Sequence, residues 1–152
     1  MQENDKMPDF TLPRDGGATV SLSDFAGKKL VLFLYPKDDT PGCTLESIEF
    51  TAKHPLFEAE GATVVGLSKD SVKDHDKFCK KHDLKVPLLS DESGELVERL
   101  GAWVEKSMYG KKFMGIERTT FLIDGDGIIR KIWRKVKVEG HVDEVLEAVK
   151  AI

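Results

Sequence analysis

Thr40-Pro41-Gly42-Cys43 sets a hydroxyl three residues before a thiol. The stretch follows an unbroken apolar run, Leu30 to Tyr35, that stops at Pro36, and it precedes a helical pattern. The spacing therefore predicts a buried strand, a tight loop and a helix carrying Cys43 in its first turn. Peptide N–H groups of a first turn have no intrahelical acceptor, and the aligned peptide dipoles place partial positive charge there. A thiolate is favoured over a thiol at such a position, which is the setting of nucleophilic cysteine chemistry. Lys37 is the nearest cation in the chain, and a more distant arginine could fold in beside it. The Thr40 hydroxyl can donate to the thiolate or to an oxygen atom of whatever is attacked. On position alone, a structural cysteine in a tight turn is the alternative.

The second thiol, Cys79, lies on a charged segment with Lys77, Lys80 and Lys81 around it. Those lysines favour its thiolate by Coulomb attraction, while packing beside Phe78 as a small apolar residue is the plainer reading. The amino terminus, MQENDKMPDF, has neither a basic start nor an apolar signal segment, which points to a cytoplasmic setting where ordinary disulfides stay reduced. Two cysteines there invite a redox role. A thioredoxin-like disulfide exchanger would need Cys-x-x-Cys, and the residue three before Cys43 is Thr40. His54, His75, His82 and His141 are scattered, so neither a metal centre nor a cofactor is expected. With 23 basic against 27 acidic residues and a net charge of −4, the chain lacks the concentrated positive charge of nucleic-acid binding. Nor does any apolar stretch suit a membrane span.

These groups must be positioned by the 152 residues of one domain, 1–152, with 40% apolar and 33% charged residues. Asp9 to Leu12 and Ala18 to Leu22 alternate across a polar, glycine-containing link and read as a hairpin; a helical turn follows near Phe25. The strand Leu30 to Tyr35 has no polar face and should be central, covered on both sides. In the helix after Cys43, Leu45, Ile48, Ala52 and Leu56 approximate the helical rhythm, Pro55 interrupts it and Gly61 closes it. Ala62 to Leu67 is a second buried strand, followed by a helix over about Ser71 to His82 with Val72, His75, Phe78 and Cys79 on its less polar stripe. With so little apolar surface, this helix is expected to be weakly held. A strand at Val86 to Leu89, a helix burying Leu96, Val97 and Leu100, and a loop over Val104 to Gly115 come next. Strands at Glu117 to Ile123 and Ile128 to Val136, joined through Asp124-Gly125-Asp126-Gly127, and a helix from Val142 to Ile152 complete the chain. Phe10, Phe33 and Phe121 are assigned to the core. Strand and helix alternating before a closing hairpin predict an α/β fold with a mixed central sheet flanked by helices.

Pro36, Thr40 and Cys43 form a P-x-x-x-T-x-x-C arrangement, and the segment DDTPGCTLES resembles the active-site loop of the peroxiredoxins, most closely the bacterioferritin-comigratory-protein or Q-type group. MPDFTLPRDGG, VVGLSKD and GIERTTFLIDGDGIIR extend the likeness over nearly the whole chain. The resemblance implies a thioredoxin-like fold and a peroxidase acting on hydrogen peroxide and organic hydroperoxides. Cys43 would be the peroxide-reacting cysteine, Thr40 a positioning hydroxyl, Pro36 a shield for the sulfur and Arg118 the active-site arginine. Glu46 occupies a place where the family often carries an acid or glutamine, and it would tie Arg118 in place or simply be a surface acid near the helix start. A resolving cysteine in this group lies either five positions after the reactive one, where this chain has Ile48, or on the following helix, where it has Cys79. The resemblance thus implies an atypical two-cysteine enzyme that forms its disulfide within one chain, works as a monomer and is recycled by thioredoxin or a similar dithiol. A one-cysteine peroxidase recycled by an external thiol, or a non-catalytic binding or chaperone module, is the alternative. Trp103, Tyr109, Phe113 and Met114 would line the peroxide entrance, receive thioredoxin or pack as ordinary rim residues.

Overall fold

Alternation along one strand builds both cores of this protein. In the computed structural model, which describes residues 1–152, β3 (Lys29–Leu34) sends Val31 and Phe33 to one face of the sheet, followed by Tyr35 beyond its end, and Leu30, Leu32 and Leu34 to the other. Side chains of a strand alternate between faces, so a run with no polar residue requires cover on both.

Before it come β1 (Thr11–Pro13) and β2 (Thr19–Ser21), the expected antiparallel hairpin, and a single 3-10 turn at Leu22–Phe25. After it come α1 (Pro41–Ala59), β4 (Ala62–Ser68), α2 (Val72–His82), β5 (Leu88–Ser90), α3 (Glu95–Arg99), β6 (Trp103–Met108), β7 (Lys111–Ile116), β8 (Thr119–Ile123), β9 (Ile129–Trp133) and α4 (His141–Lys150). The central sheet has the order β5-β4-β3-β8-β9, with β3, β4 and β5 parallel and β8 and β9 antiparallel to their neighbours. This is the mixed, helix-flanked sheet of the thioredoxin-like fold, with β3 at its centre. One core joins Val31, Phe33 and Tyr35 to Phe50 and Phe57 of α1, Phe78 of α2 and Val142, Val145 and Val149 of α4. The other joins Leu30, Leu32 and Leu34 to Leu96, Val97 and Leu100 around α3, to Phe121 of β8 and to Phe10. Gly66 of β4 has no room for a side chain against the first of these cores: a Cβ there would sit 2.7 Å from Leu88 Cδ2 and 2.9 Å from Phe33 Cζ.

Three expectations from the sequence are corrected. Leu45, Ile48, Ala52 and Leu56, the apolar rhythm of α1, all face outward, and the helix buries Cys43, Glu46, Ser47, Phe50 and Phe57 instead. Phe50 stacks on Phe33 and packs at a tilt against Phe57, so the sheet takes the aromatic face of the helix. Pro55 starts no second segment, and α1 runs unbroken to Ala59; the proline lies on the exposed side, where water can take the carbonyl bond that it cannot make. Residues 104–115 are not a loop but most of an antiparallel hairpin, β6 and β7, turning at Tyr109 and Gly110 with φ of 51° and 79°. Positive φ at both central residues is the geometry of a tight hairpin turn, and a tyrosine at the first of them gave no turn signal.

Candidate active site

Cys43 is the third residue of α1, with Thr40 as N-cap and Pro41 opening the helix. Proline is favoured there because its missing N–H would have had no partner and its φ is already helical. The Cys43 side chain is 1% exposed. Arg118 reaches it from 75 positions away: its Nη2 donates to Cys43 Sγ at 3.3 Å. Strand register explains the meeting. Leu34, the last residue of β3, pairs with Thr119, the first of β8, so Arg118 stands beside the loop that leads from β3 to Cys43.

The same guanidinium donates through Nη1 to Glu46 Oε1 at 2.7 Å. Glu46, one turn along α1 from Cys43, is fully buried rather than a surface acid. Burial pushes its carboxyl up to about 7, against the opposing pull of Arg118. Its Oε2 and the neighbouring Ser47 Oγ have no hydrogen-bond partner. Burial works against the Arg118 charge, but Glu46 and Cys43 more than offset it and hold the guanidinium above its ordinary value. The planar fork is what lets one side chain fix two acceptors. Gly42 makes room for it: a Cβ at that position would lie 3.1 Å from Arg118 Nη2.

Thr40 departs from its expected bonding. Its hydroxyl donates to the Lys37 carbonyl at 2.8 Å and makes no cap bond to the helix amides. The hydrogen is thus directed away from the sulfur, and the oxygen's lone pairs are what it can offer to an incoming O–H.

Pro36 borders an open depression of about 350 Å³ shared with Lys37, Lys69, Trp103, Lys106, Phe113, Met114, Gly115 and Ile116. Trp103, Phe113 and Met114 therefore come together, whereas Tyr109 is 99% exposed at the hairpin tip. Lys69 sets its ammonium 4.0 Å from the Trp103 ring centroid, a cation–π contact. Lys106 had no signal in the sequence. Burial first, and then the positive charge of Arg118, push its ammonium below the usual lysine range.

Cys79 is half-buried on α2 and packs against the cluster that contains Cys43, and both thiols are free. Here the lysines do not govern. Burial, followed by the carboxylates of Asp15 and Asp38, pushes the Cys79 thiol up to about 12. The helix is also better held than its composition suggests. His75, wholly buried one turn before Cys79, places Nδ1 2.6 Å from Asp38 Oδ2 and Nε2 2.9 Å from the Leu89 carbonyl. Both ring nitrogens face acceptors, which suits the imidazolium. Burial disfavours that charge, but Asp38 outweighs it and the His75 pKa is raised. Asp38 Oδ1 accepts from the Tyr35 hydroxyl at 2.6 Å, and Asp38 N–H donates to Asp70 Oδ2 at 2.9 Å. Asp38, Asp70 and His75 bring ligand-type atoms within 4.8 Å of one another. Tetrahedral ligands of a zinc ion stand about 3.4 Å apart, whereas the His75–Asp38 separation of 2.6 Å is that of a hydrogen bond, so the trio reads as a polar network.

Residues 4–132 match the family model described as AhpC/TSA family. Peroxiredoxin Bcp of Bacillus subtilis is 49% identical over 145 residues, 95% of this chain and 92% of that protein. Xanthomonas campestris peroxiredoxin Q superposes with a TM-score of 0.89 at 48% identity, covering 93% of this chain and 90% of the other. A mutant of Xylella fastidiosa PrxQ gives a TM-score of 0.95 at 43% identity, covering 99% and 96%. With the thiol at the helix start, its arginine and a second cysteine on the following helix, the chain belongs to the AhpC/TSA family as a thiol peroxidase of the Bcp/PrxQ group of peroxiredoxins.

Proposed function

We propose that Cys43 is the peroxide-attacking residue, that Cys79 resolves it within the same chain, and that a thioredoxin-like dithiol recycles the enzyme. The observation that carries the reading is the Arg118 guanidinium shared between Cys43 Sγ at 3.3 Å and Glu46 Oε1 at 2.7 Å. Arg118 stabilises the thiolate and then the negative charge that develops on the departing oxygen, with donors fixed before the reaction begins. The Thr40 oxygen accepts from the peroxide O–H, because its own hydrogen is spent on Lys37. Pro36 and the depression beside it border the approach, with an apolar wall at Trp103, Phe113 and Met114 that suits organic hydroperoxides as well as hydrogen peroxide.

In-line attack of the Cys43 thiolate breaks the O–O bond, leaving a sulfenic acid on sulfur and water or an alcohol as product. The Cys79 thiol then condenses with it, giving the disulfide and one water, and exchange with an external dithiol restores both thiols. In the folded helix Cys79 is a poor nucleophile, since its thiol is pushed up to about 12. Unwinding α2 both frees it to approach and returns it towards the ordinary cysteine range of about 8.5.

Peroxide-dependent oxidation of NADPH through thioredoxin and its reductase tests the scheme. Cys43→Ser should abolish turnover, and a fully active variant would sink it. Cys79→Ser should lose thioredoxin-supported turnover while one equivalent of peroxide is still consumed; unchanged turnover would leave the one-cysteine enzyme. Intact mass after one equivalent should show loss of two hydrogens without a dimer, and an interchain disulfide would reject the monomeric cycle.

A further inference from the structure

Every polar tie between α2 and the loop that leads into α1 is made by two adjacent residues of that loop. Asp38 holds His75 at 2.6 Å. Asp39 holds Lys81 Nζ at 2.8 Å and His82 Nε2 at 3.1 Å, near the far end of α2. Cys79 lies between these two anchors. Asp38 is itself secured by Tyr35 at 2.6 Å and by Asp70, whose Oδ2 also accepts from Ser68 Oγ at 2.6 Å. Asp39 sits at a φ of +61°, so the loop is bent sharply just where the second carboxylate must reach back to α2. Two further ties come from elsewhere: Gly16 N–H donates to Asp76 Oδ1 at 2.7 Å, and His75 Nε2 lies 2.9 Å from the Leu89 carbonyl.

We infer that Asp38 and Asp39 are positioning residues for the resolving step, a two-point latch that keeps α2 folded while the loop before Cys43 is folded and releases it when that loop unwinds. The inference rests on Cys79 being the resolving thiol. Its mechanical basis is that Thr40, the N-cap of the helix bearing Cys43, directly follows Asp39. Unwinding the first turn of α1 displaces the backbone that aims both carboxylates. The Asp38 and Asp39 ties to α2 are then lost together with the contacts holding Cys43, which leaves α2 on the Gly16–Asp76 and His75–Leu89 bonds and the packing of Phe78. One opening serves both sulfurs, rather than two independent openings whose small populations would multiply. The chemistry gated in this way is the condensation of the Cys43 sulfenic acid with the Cys79 thiol. The new S–S bond forms as the S–OH bond breaks, and the hydroxyl leaves as water with the Cys79 proton.

The latch strengths differ. The His75–Asp38 pair is buried, with side chains 0% and 7% exposed, whereas Asp39 is 46% exposed and its pairs are weakened by solvent. Two variants therefore bracket the idea. Reduced full-length protein is mixed with one equivalent of hydrogen peroxide, quenched with a thiol-blocking reagent and followed by intact mass, and amide exchange across 38–46 and 72–82 is read on the reduced form. His75→Gln should speed disulfide formation about ten-fold, a charged buried hydrogen bond's worth. Asp39→Asn, which tolerates the left-handed backbone, should speed it about two- to three-fold. Oxidation of Cys43 to the sulfenic acid should keep its wild-type rate in both, and exchange in α2 should rise in step with the disulfide rate. Wild-type disulfide rates in Asp39→Asn overturn the latch even if His75→Gln fails to fold, as does faster exchange of α2 with no change in the disulfide rate. Absence of a Cys43–Cys79 disulfide in the wild-type protein would instead overturn the resolving role on which the latch depends.

Discussion

Arg118 is asked to do two things at once, and a lysine in its place could not do both. A lysine offers a point charge without the planar fork that reaches Cys43 and Glu46 together. Arg118→Ala should lower the second-order rate of Cys43 oxidation about 10²- to 10³-fold, the usual cost of losing one preorganised donor, and stopped-flow measurement under single-turnover conditions checks it. Gly42→Ala should cause a smaller loss with the fold intact, because its Cβ would crowd the Arg118 Nη2 from 3.1 Å. Glu46 makes a prediction about stability. Its carboxyl moves from 4.5 to about 7 on burial, so the native state holds its proton more tightly than the unfolded chain. Stability due to this group is therefore present below pH 4.5 and is lost as pH rises towards about 7. Glu46→Gln removes that dependence. The melting temperature of the variant should gain on the wild type across this window and hold a constant advantage above it; a gain that shrinks with rising pH would contradict the assignment.

Helix α1 shows how an element can be read correctly while its face is misread. Aliphatic residues at Leu45, Ile48, Ala52 and Leu56 carry the helical spacing, yet the sheet takes the face with two phenylalanines, the thiol and the buried acid. Helical periodicity fixes which residues share a stripe, but which stripe is buried depends on what the sheet presents, and Phe33 and Tyr35 present aromatic rings. Leu45→Ala, at a side chain 47% exposed, should cost under about 0.5 kcal/mol. Phe50→Ala should cost about 3–5 kcal/mol by creating a cavity in the core. Urea unfolding of both variants distinguishes the two faces. The hairpin of β6 and β7 is hard to read from sequence for a different reason: a turn made by Tyr109 and Gly110 has half the composition expected of its backbone.

Over the whole molecule, two apolar layers meet the sheet with β3 between them, and Gly66 is the point where the layer shared by β3, β4 and β5 has no spare volume. Gly66→Ala should therefore lower stability by about 1–3 kcal/mol through overpacking, despite the ordinary preference of strands for side chains, and an equilibrium unfolding midpoint shifted to lower denaturant would show it. His141 acts in a different direction with pH. It is buried, accepts or donates to Thr120 Oγ1 at 2.8 Å, and burial pushes its pKa down to about 4. The unfolded chain binds that proton first, so stability is lost as pH falls from 6.5 to about 4, opposite in sign to Glu46. No helix is long and apolar enough to cross a membrane.

Local rules were enough to specify the strand, loop and helix that carry Cys43, because an apolar run, a proline and a helix start act over a few residues. The central place of β3, the inward residues of α3 and the aromatic core positions Phe10, Phe33 and Phe121 were legible on the same grounds. Those rules do not reach the contacts that give the site its electrostatics, since these join residues distant in the chain; only the family resemblance pointed to Arg118 beside Cys43 and to Glu46 as its tie. Arg118 meets Cys43 only through the pairing of β3 with β8. Glu46 becomes a buried acid, and Cys79 a reluctant thiol, only when the sheet chooses the face of α1 and the loop carboxylates close on α2. Charge in a sequence declares which groups are present; burial and the partner brought alongside decide what each of them is worth.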